Sequence, residues 1–223
     1  MAVDEIPNIY IIGASSTGKT TLVNALHEHY SQQTDLSPPA VVAETARPIL
    51  HKFSFRREDY FGSPDKTSKL QSAILEAQCR AEKSQNTWYI SDRSAIDPIV
   101  YSRIFVGDAD VDVQKASASW KALEPRMRAG TVLLCEAPSP WLDDDGIRWV
   151  PSAAEDWVLH DAMFRKELSN AGLEYKIVPK EVTDIKDRVK IAVEAHACKL
   201  AELDQARKKQ SKVVVYLQSC TSL

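Results

Sequence analysis

Gly13-Ala14-Ser15-Ser16-Thr17-Gly18-Lys19-Thr20 has the spacing G-x-x-x-x-G-K-[ST]. This is the pattern of a P-loop, which cradles nucleotide phosphates with backbone N–H groups. The flanks suit that reading. Ile9-Tyr10-Ile11-Ile12 is an apolar run fit for a buried strand, and Thr21 to Glu28 reads as a helix. Strand, loop and helix in that order place successive amides and a helix N-terminus around one anion. Gly13, Ala14, Ser15, Ser16, Thr17 and Gly18 would line the phosphates together with Thr21. Lys19 can reach the β- and γ-phosphates of ATP, and the Thr20 hydroxyl can bind Mg²⁺.

Charged residues recur after the other apolar runs. In open α/β sheets, ligands sit beyond the C-terminal ends of the strands. Glu44 and Arg47 follow the second run, Asp92 and Arg93 the third, and Glu136 the fourth. Asp92 is the expected phosphate-side acid. It either binds Mg²⁺, directly or through water, or accepts a proton from an attacking hydroxyl. Arg93 either holds substrate and stabilises charge on a transferring phosphoryl group, or pairs with Asp92 to brace the strand end. Glu44 either meets a substrate hydroxyl, as ligand or general base, or forms a plain ion pair with Arg47; Arg47 can contact the same ligand. Asp97 opens the next helical region, where it either caps amides or touches substrate.

Arg126, Arg128, Arg148 and Arg165 are candidates to reach a triphosphate from a lid, although each alone reads as a solvated or packing arginine. Trp141 and Trp149 either stack on a base or pack the lid, with packing the simpler reading. His27, His29, His51, His160 and His196 show no metal-ligand spacing. His196 is expected on a packed helix face.

The elements that must position these residues alternate. Strands are expected at 8–12, 40–43, 88–91, 131–135 and 175–178, with helices between them. The predicted fold is α/β: three layers around a mainly parallel five-stranded sheet. Pro48 is expected to interrupt any continuation after Arg47. Asp108–Asp112 reads as a solvated turn, and Val213–Leu217 as a sixth strand or a docked tail. The 223 residues suffice for one domain with one sizeable core, lid or substrate loops at 48–66 and 137–151, and a C-terminal tail at 208–223. A net charge of -3 argues against broad nucleic-acid or polybasic membrane binding. Cys79, Cys135 and Cys198 are expected as buried free thiols. No apolar run approaches the roughly 20 residues of a membrane span, and no signal peptide is evident, so a cytoplasmic setting is expected.

Four segments together resemble the P-loop kinase-like family that includes the nicotinamide riboside kinase domain of bacterial NAD-biosynthesis regulators, part of a broader AAA-type group. They are Gly13–Thr20, Glu44-Thr45-Ala46-Arg47, Asp92-Arg93-Ser94-Ala95-Ile96-Asp97 with Tyr101 beyond, and Trp141–Arg148. The third also resembles the Asp/Glu-Arg element of deoxynucleoside and thymidylate kinases. The resemblance spans about Asn8 to Val193. It implies a nucleoside- or nucleotide-kinase-like fold and phosphoryl transfer from ATP, with Mg²⁺, to a small-molecule hydroxyl, with a riboside as the leading acceptor. It further implies that Arg148 acts from an acidic-Gly-x-Arg loop. Thr45 stands where the closest riboside-kinase pattern has tyrosine. The rival expectation is a regulatory ATP- or GTP-binding protein with slow hydrolysis and a protein partner; a homodimer is also open.

Overall fold

The structure, a computed structural model, describes residues 6–137 and 154–220, with side chains at 6–137 and 155–209. The chain begins with β1 (Ile9–Ile12), α1 (Lys19–Ser31) and β2 (Ala40–Val42). Three helices follow, α2 (Ala46–Lys52), α3 (Asp59–Gly62) and α4 (Pro64–Lys83), and lead to β3 (Tyr89–Asp92). Next come α5 (Ile96–Phe105), α6 (Asp108–Ala116), α7 (Ala118–Ala129) and β4 (Thr131–Cys135). The described chain ends with α8 (Ala154–Asn170), β5 (Lys176–Val178) and α9 (Ile185–Cys220).

The strands form one sheet in the order β2-β3-β1-β4-β5, and every neighbouring pair is parallel. Successive strand residues face opposite sides, and β1 shows how both sides are filled. Tyr10 and Ile12 join a core with Leu75 of α4, Ile99 of α5, Leu123 of α7 and Phe164 of α8. Ile9 and Ile11 join a second core with Leu22 and Leu26 of α1 and Ala192 of α9. A strand buried on both faces needs a continuous apolar run, which is why β1 and β4 were visible in the sequence. The same alternation produces the three layers. A third apolar cluster, with Leu50, Tyr60, Leu70 and Tyr101, seats α2 and α3 against α4 and α5.

Four local expectations are corrected. Pro48 does not interrupt the chain after Arg47; it lies in the first turn of α2, where its missing N–H has no intrahelical partner to lose. Asp108–Asp112 is not a turn but the start of α6, because acids are favoured at a helix N-terminus. The segment proposed as a sixth strand lies within α9. Cys198 is exposed, whereas Cys79 and Cys135 are buried as expected. Among the described residues, no helix is long and apolar enough to cross a membrane.

Candidate active site

The P-loop joins β1 to α1 through a backbone that few residues tolerate. Gly13 has φ 130 and Gly18 has φ 76. A Cβ at Gly13 would lie 2.6 Å from the Cys135 carbonyl oxygen. A side chain there would therefore displace β4 backbone as well as strain φ. The loop is braced internally by Thr17 Oγ1, which donates to the Ala14 carbonyl at 3.0 Å. Arg188 of α9 braces it from outside, donating from Nη2 to the Thr17 carbonyl at 2.9 Å. Ser15 Oγ lies 3.1 Å from the Tyr101 hydroxyl of α5.

Lys19 folds back over the loop and donates to the Ala14 carbonyl at 2.5 Å. Burial lowers its pKa to about 8; nearby Arg93 adds to the shift, and Asp92 and Asp97 oppose it. This has a measurable consequence. Phosphate oxygens in the loop would favour the charged amine, so nucleotide binding near pH 9 should take up close to one proton per site. At pH 6.5 the amine is already charged and contributes no uptake. Calorimetry in buffers of different ionisation enthalpy should show this difference, and Lys19→Met should abolish it.

Asp92 ends β3 beside β1, with Ile11 as its register partner. The Thr20 hydroxyl donates to Asp92 Oδ2 at 2.5 Å. Asp92 Oδ1 is buried and has no hydrogen-bond partner among the described residues. A buried carboxylate oxygen left unsatisfied is costly. A hard divalent cation prefers such oxygen donors, so Thr20 and Asp92 are a donor set that fits Mg²⁺.

Arg93, the next residue, points elsewhere. Its φ of 87 is unusual for a side-chain-bearing residue. Its Nε donates to Glu44 Oε1 at 3.0 Å, and its Nη1 to Asp97 Oδ1 at 3.1 Å. Burial works against its charge, but Glu44 and Asp97 hold its pKa well above the usual arginine value. Asp97 also accepts from the Ser94 amide at 2.9 Å, so it caps the start of α5 as well. Burial raises the Asp97 pKa, against the fields of Arg93 and Lys19. Glu44 keeps its other oxygen 3.1 Å from Arg47 Nε. Glu44, Arg93 and Asp97 line a small cavity of about 30 Å³ with Leu50, Tyr60 and Gln71. Gln71 Nε2 is buried and lacks a hydrogen-bond partner of good geometry among the described residues.

The structure thus gathers Lys19, Thr20, Glu44, Arg47, Asp92, Arg93 and Asp97 around adjoining strand ends. It does not bring in every candidate. Arg165 is tied to Asp161 at 2.6 Å and to Glu136 at 2.9 Å, which staples α8 to the end of β4. Arg126 and Arg128 precede β4, so they stand at the end of the sheet opposite the P-loop. Arg128 instead holds the Ala171 and Gly172 carbonyls, both at 2.7 Å. Arg148, Trp141, Trp149 and nearly all of the 137–151 loop lie outside the described residues. His196 is buried on its helix as expected, with Nδ1 2.8 Å from the Tyr30 hydroxyl. Sequence reasoning missed Gln71 and Arg188. The available signal was a polar side chain beside an apolar helical stripe, Leu70 and Ile74 for the first and Val189 for the second.

A family model described as AAA domain matches residues 8–188. Comparison with curated proteins finds no match. Among solved structures, deoxyadenosine kinase from M. mycoides, with products dCMP and a flexible dCDP bound, is 14% identical with a TM-score of 0.57. That alignment covers 84% of this chain and 96% of the kinase. NadR protein in complex with NAD and AMP-PNP is 16% identical, with a TM-score of 0.62, over 87% of this chain and 51% of NadR. NadR protein in complex with NR is 17% identical, with a TM-score of 0.55, over 86% and 50%. This chain therefore spans about half the length of NadR. At these identities the likeness is one of fold: a parallel five-stranded sheet flanked by helices, in a nucleotide-kinase-like architecture.

Proposed function

The chain belongs to the AAA domain family, and from that premise we propose that it transfers a phosphoryl group from ATP to a hydroxyl of a small molecule. The observation that carries this reading is the divergence of two consecutive side chains. Asp92 turns to Thr20 at the P-loop, while Arg93 turns to Glu44 and Asp97 in the neighbouring cavity. A phosphate zone and an acceptor zone then meet at one strand end.

In this reading Lys19 and the loop amides bind the β- and γ-phosphates. Thr20 and Asp92 hold Mg²⁺, which when bound neutralises charge on the phosphates. Arg93 orients the acid that meets the acceptor hydroxyl, and Glu44 is that acid. The cavity of about 30 Å³ is the size of one water. An acceptor the size of a nucleoside therefore needs the cover to open. Leu50 of α2 and Tyr60 of α3 line it, so the 48–66 segment is the proposed substrate lid. A riboside is the proposed acceptor. The resemblance of the Glu44–Arg47 and Asp92–Asp97 segments supports this, as does the fold shared with structures holding nucleotides or NR.

The direct test is incubation with Mg-ATP and a panel of nucleosides, ribosides and other hydroxylated metabolites, read by mass. Gain of one phosphate by an acceptor, with ATP consumption dependent on it, is expected. Equal ATP hydrolysis with and without every acceptor would overturn the proposal in favour of a regulatory NTP-binding protein.

Glu44→Gln separates the two zones. It keeps the shape but removes the charge opposite Arg93 and Arg47. Acceptor affinity should fall by about tenfold or more, on the order of 1.5–3 kcal/mol for a hydrogen bond to a charged group, with Mg-ATP affinity nearly unchanged. Calorimetry with each ligand reads the split; equal losses would mark Glu44 as scaffold.

A further inference from the structure

At the opposite end of the sheet, a cavity of about 430 Å³ opens beside the starts of β1 and β3. Among the described residues its polar lining is Arg126, Arg207, Asn8, Gln85, Asn86 and Thr87, with no acid in the lining itself; Arg207 Nη1 lies 3.7 Å from Asp204 on its own helix. The volume is in the range of small-ligand sites, roughly 300–1,000 Å³. Arg126 is partly buried. Its guanidinium carbon lies 5.8 Å from the centroid of the Tyr89 ring. Two guanidinium groups, side-chain amides and a hydroxyl around one cavity are the chemistry of a phosphate monoester site.

A buried polar chain leads from this cavity to the acceptor zone. The Tyr89 hydroxyl donates to Glu82 Oε2 at 2.6 Å. Gln78 Nε2 donates to Glu82 Oε1 at 2.9 Å and to Ser91 Oγ at 2.9 Å. Thr45 Oγ1 donates to Gln78 Oε1 at 3.1 Å. Thr45 adjoins Glu44, which Arg93 holds. Glu82 is fully buried; burial raises its pKa, against the hydrogen bonds it accepts from Tyr89, Gln78 and Tyr10 and, least of these, the field of Arg126. An anion paired with Arg126 would draw the guanidinium from the Tyr89 ring and so disturb the Tyr89–Glu82 and Glu82–Gln78 hydrogen bonds. No described residue lies in both the cavity and the proposed phosphate or acceptor zones.

We propose that this cavity is a regulatory site for a small phosphate monoester, coupled to the Glu44 wall through Tyr89, Glu82, Gln78 and Thr45. The coupling has physical content because each link is a hydrogen bond that a change at Glu82 must rearrange. The position is also distinct from the P-loop. Tyr89 and Asp92 are the two ends of β3, about 10 Å apart at ~3.3 Å per residue.

The test uses the full chain with Mg²⁺ and AMP-PNP filling the P-loop, titrated with ribose 5-phosphate and followed by backbone amide NMR. Saturable shifts at Thr87 and Tyr89, with a concurrent shift at Thr45, are expected in the millimolar range or below. Arg126→Met should weaken binding about tenfold or more, the scale of one lost charge-assisted bond. Ala129→Glu, at an exposed position on the cavity wall, should do the same by charge repulsion if the arginine variant folds poorly. Absence of saturable shifts would overturn the proposal. So would shifts that persist unchanged in both variants, or pocket shifts that leave Thr45 unmoved. The readout is binding rather than turnover, so this site stands or falls independently of the phosphoryl-transfer reading.

Discussion

Lys19→Ala is expected to reduce phosphoryl transfer by about 10²–10³-fold, the scale on which removal of one transition-state charge contact acts. The amine is enclosed by the P-loop, so no neighbouring side chain in the described structure is placed to substitute for it. The protein should nevertheless fold, and the reason lies in the same burial that makes Lys19 useful. Its pKa falls to about 8 from 10.5 because the loop desolvates the ammonium group. The folded chain thus binds fewer protons than the unfolded chain between those two values. Stability rises with pH wherever the unfolded state holds more protons. The penalty from Lys19 is therefore full below pH 8, fades as pH rises and is gone above 10.5. Alanine removes the penalty, so Lys19→Ala should melt at or above the wild-type temperature at pH 7, with the difference shrinking above pH 8. Turnover near wild type in the folded variant would overturn the assigned role. A lower melting temperature would mean that the bond to the Ala14 carbonyl outweighs the desolvation cost.

Local signals were legible in the sequence where a single segment carries its own constraint. The P-loop is one, since Gly13 and Gly18 occupy positive-φ positions within a single turn. The strands are another, because β1 and β4 are covered on both faces and must be apolar throughout. Chain adjacency misled where backbone geometry intervenes. Asp92 and Arg93 could be read as bracing each other, yet the positive φ at Arg93 turns them toward different partners. Nothing in the two letters encodes that turn. Arg126 was grouped with residues near the phosphates, although a residue before a parallel strand stands at the wrong end of the sheet for that role. Gln71, Gln78 and Glu82 lie beside the apolar stripe of α4, and their burial emerges only when β3 and α2 pack against that helix. Tertiary packing thus supplied both the acceptor wall and the buried chain behind it. The motif supplied only the phosphate zone.

Asp92→Asn is expected to lower turnover by about 10²–10⁴-fold, the range ascribed to a positioned acid or base. The fold should survive, because asparagine has nearly the same volume and its carbonyl can still accept from Thr20. Oδ1 has no partner to lose among the described residues, and removing a buried charge lifts a desolvation cost. Against this stands the loss of the Asp92 field that supports the Lys19 charge, so stability in the absence of ligands should stay close to wild type. Two roles for Asp92 give different signatures. If its carboxylate holds Mg²⁺, the Mg²⁺ concentration for half-maximal rate should rise steeply in the variant, while binding of nucleotide without metal stays close to wild type. If it acts as the base, the maximal rate should fall with the Mg²⁺ requirement unmoved. The geometry favours the first. Oδ2 already accepts the hydroxyl of Thr20 at 2.5 Å, so the carboxylate faces the phosphate side rather than the Glu44 cavity. A cation at the remaining oxygen would satisfy a buried carboxylate atom that the described residues leave without a hydrogen bond. Titrating Mg²⁺ at saturating ATP and acceptor, for wild type and variant in parallel, decides between the two roles. Unchanged turnover in Asp92→Asn would reject both.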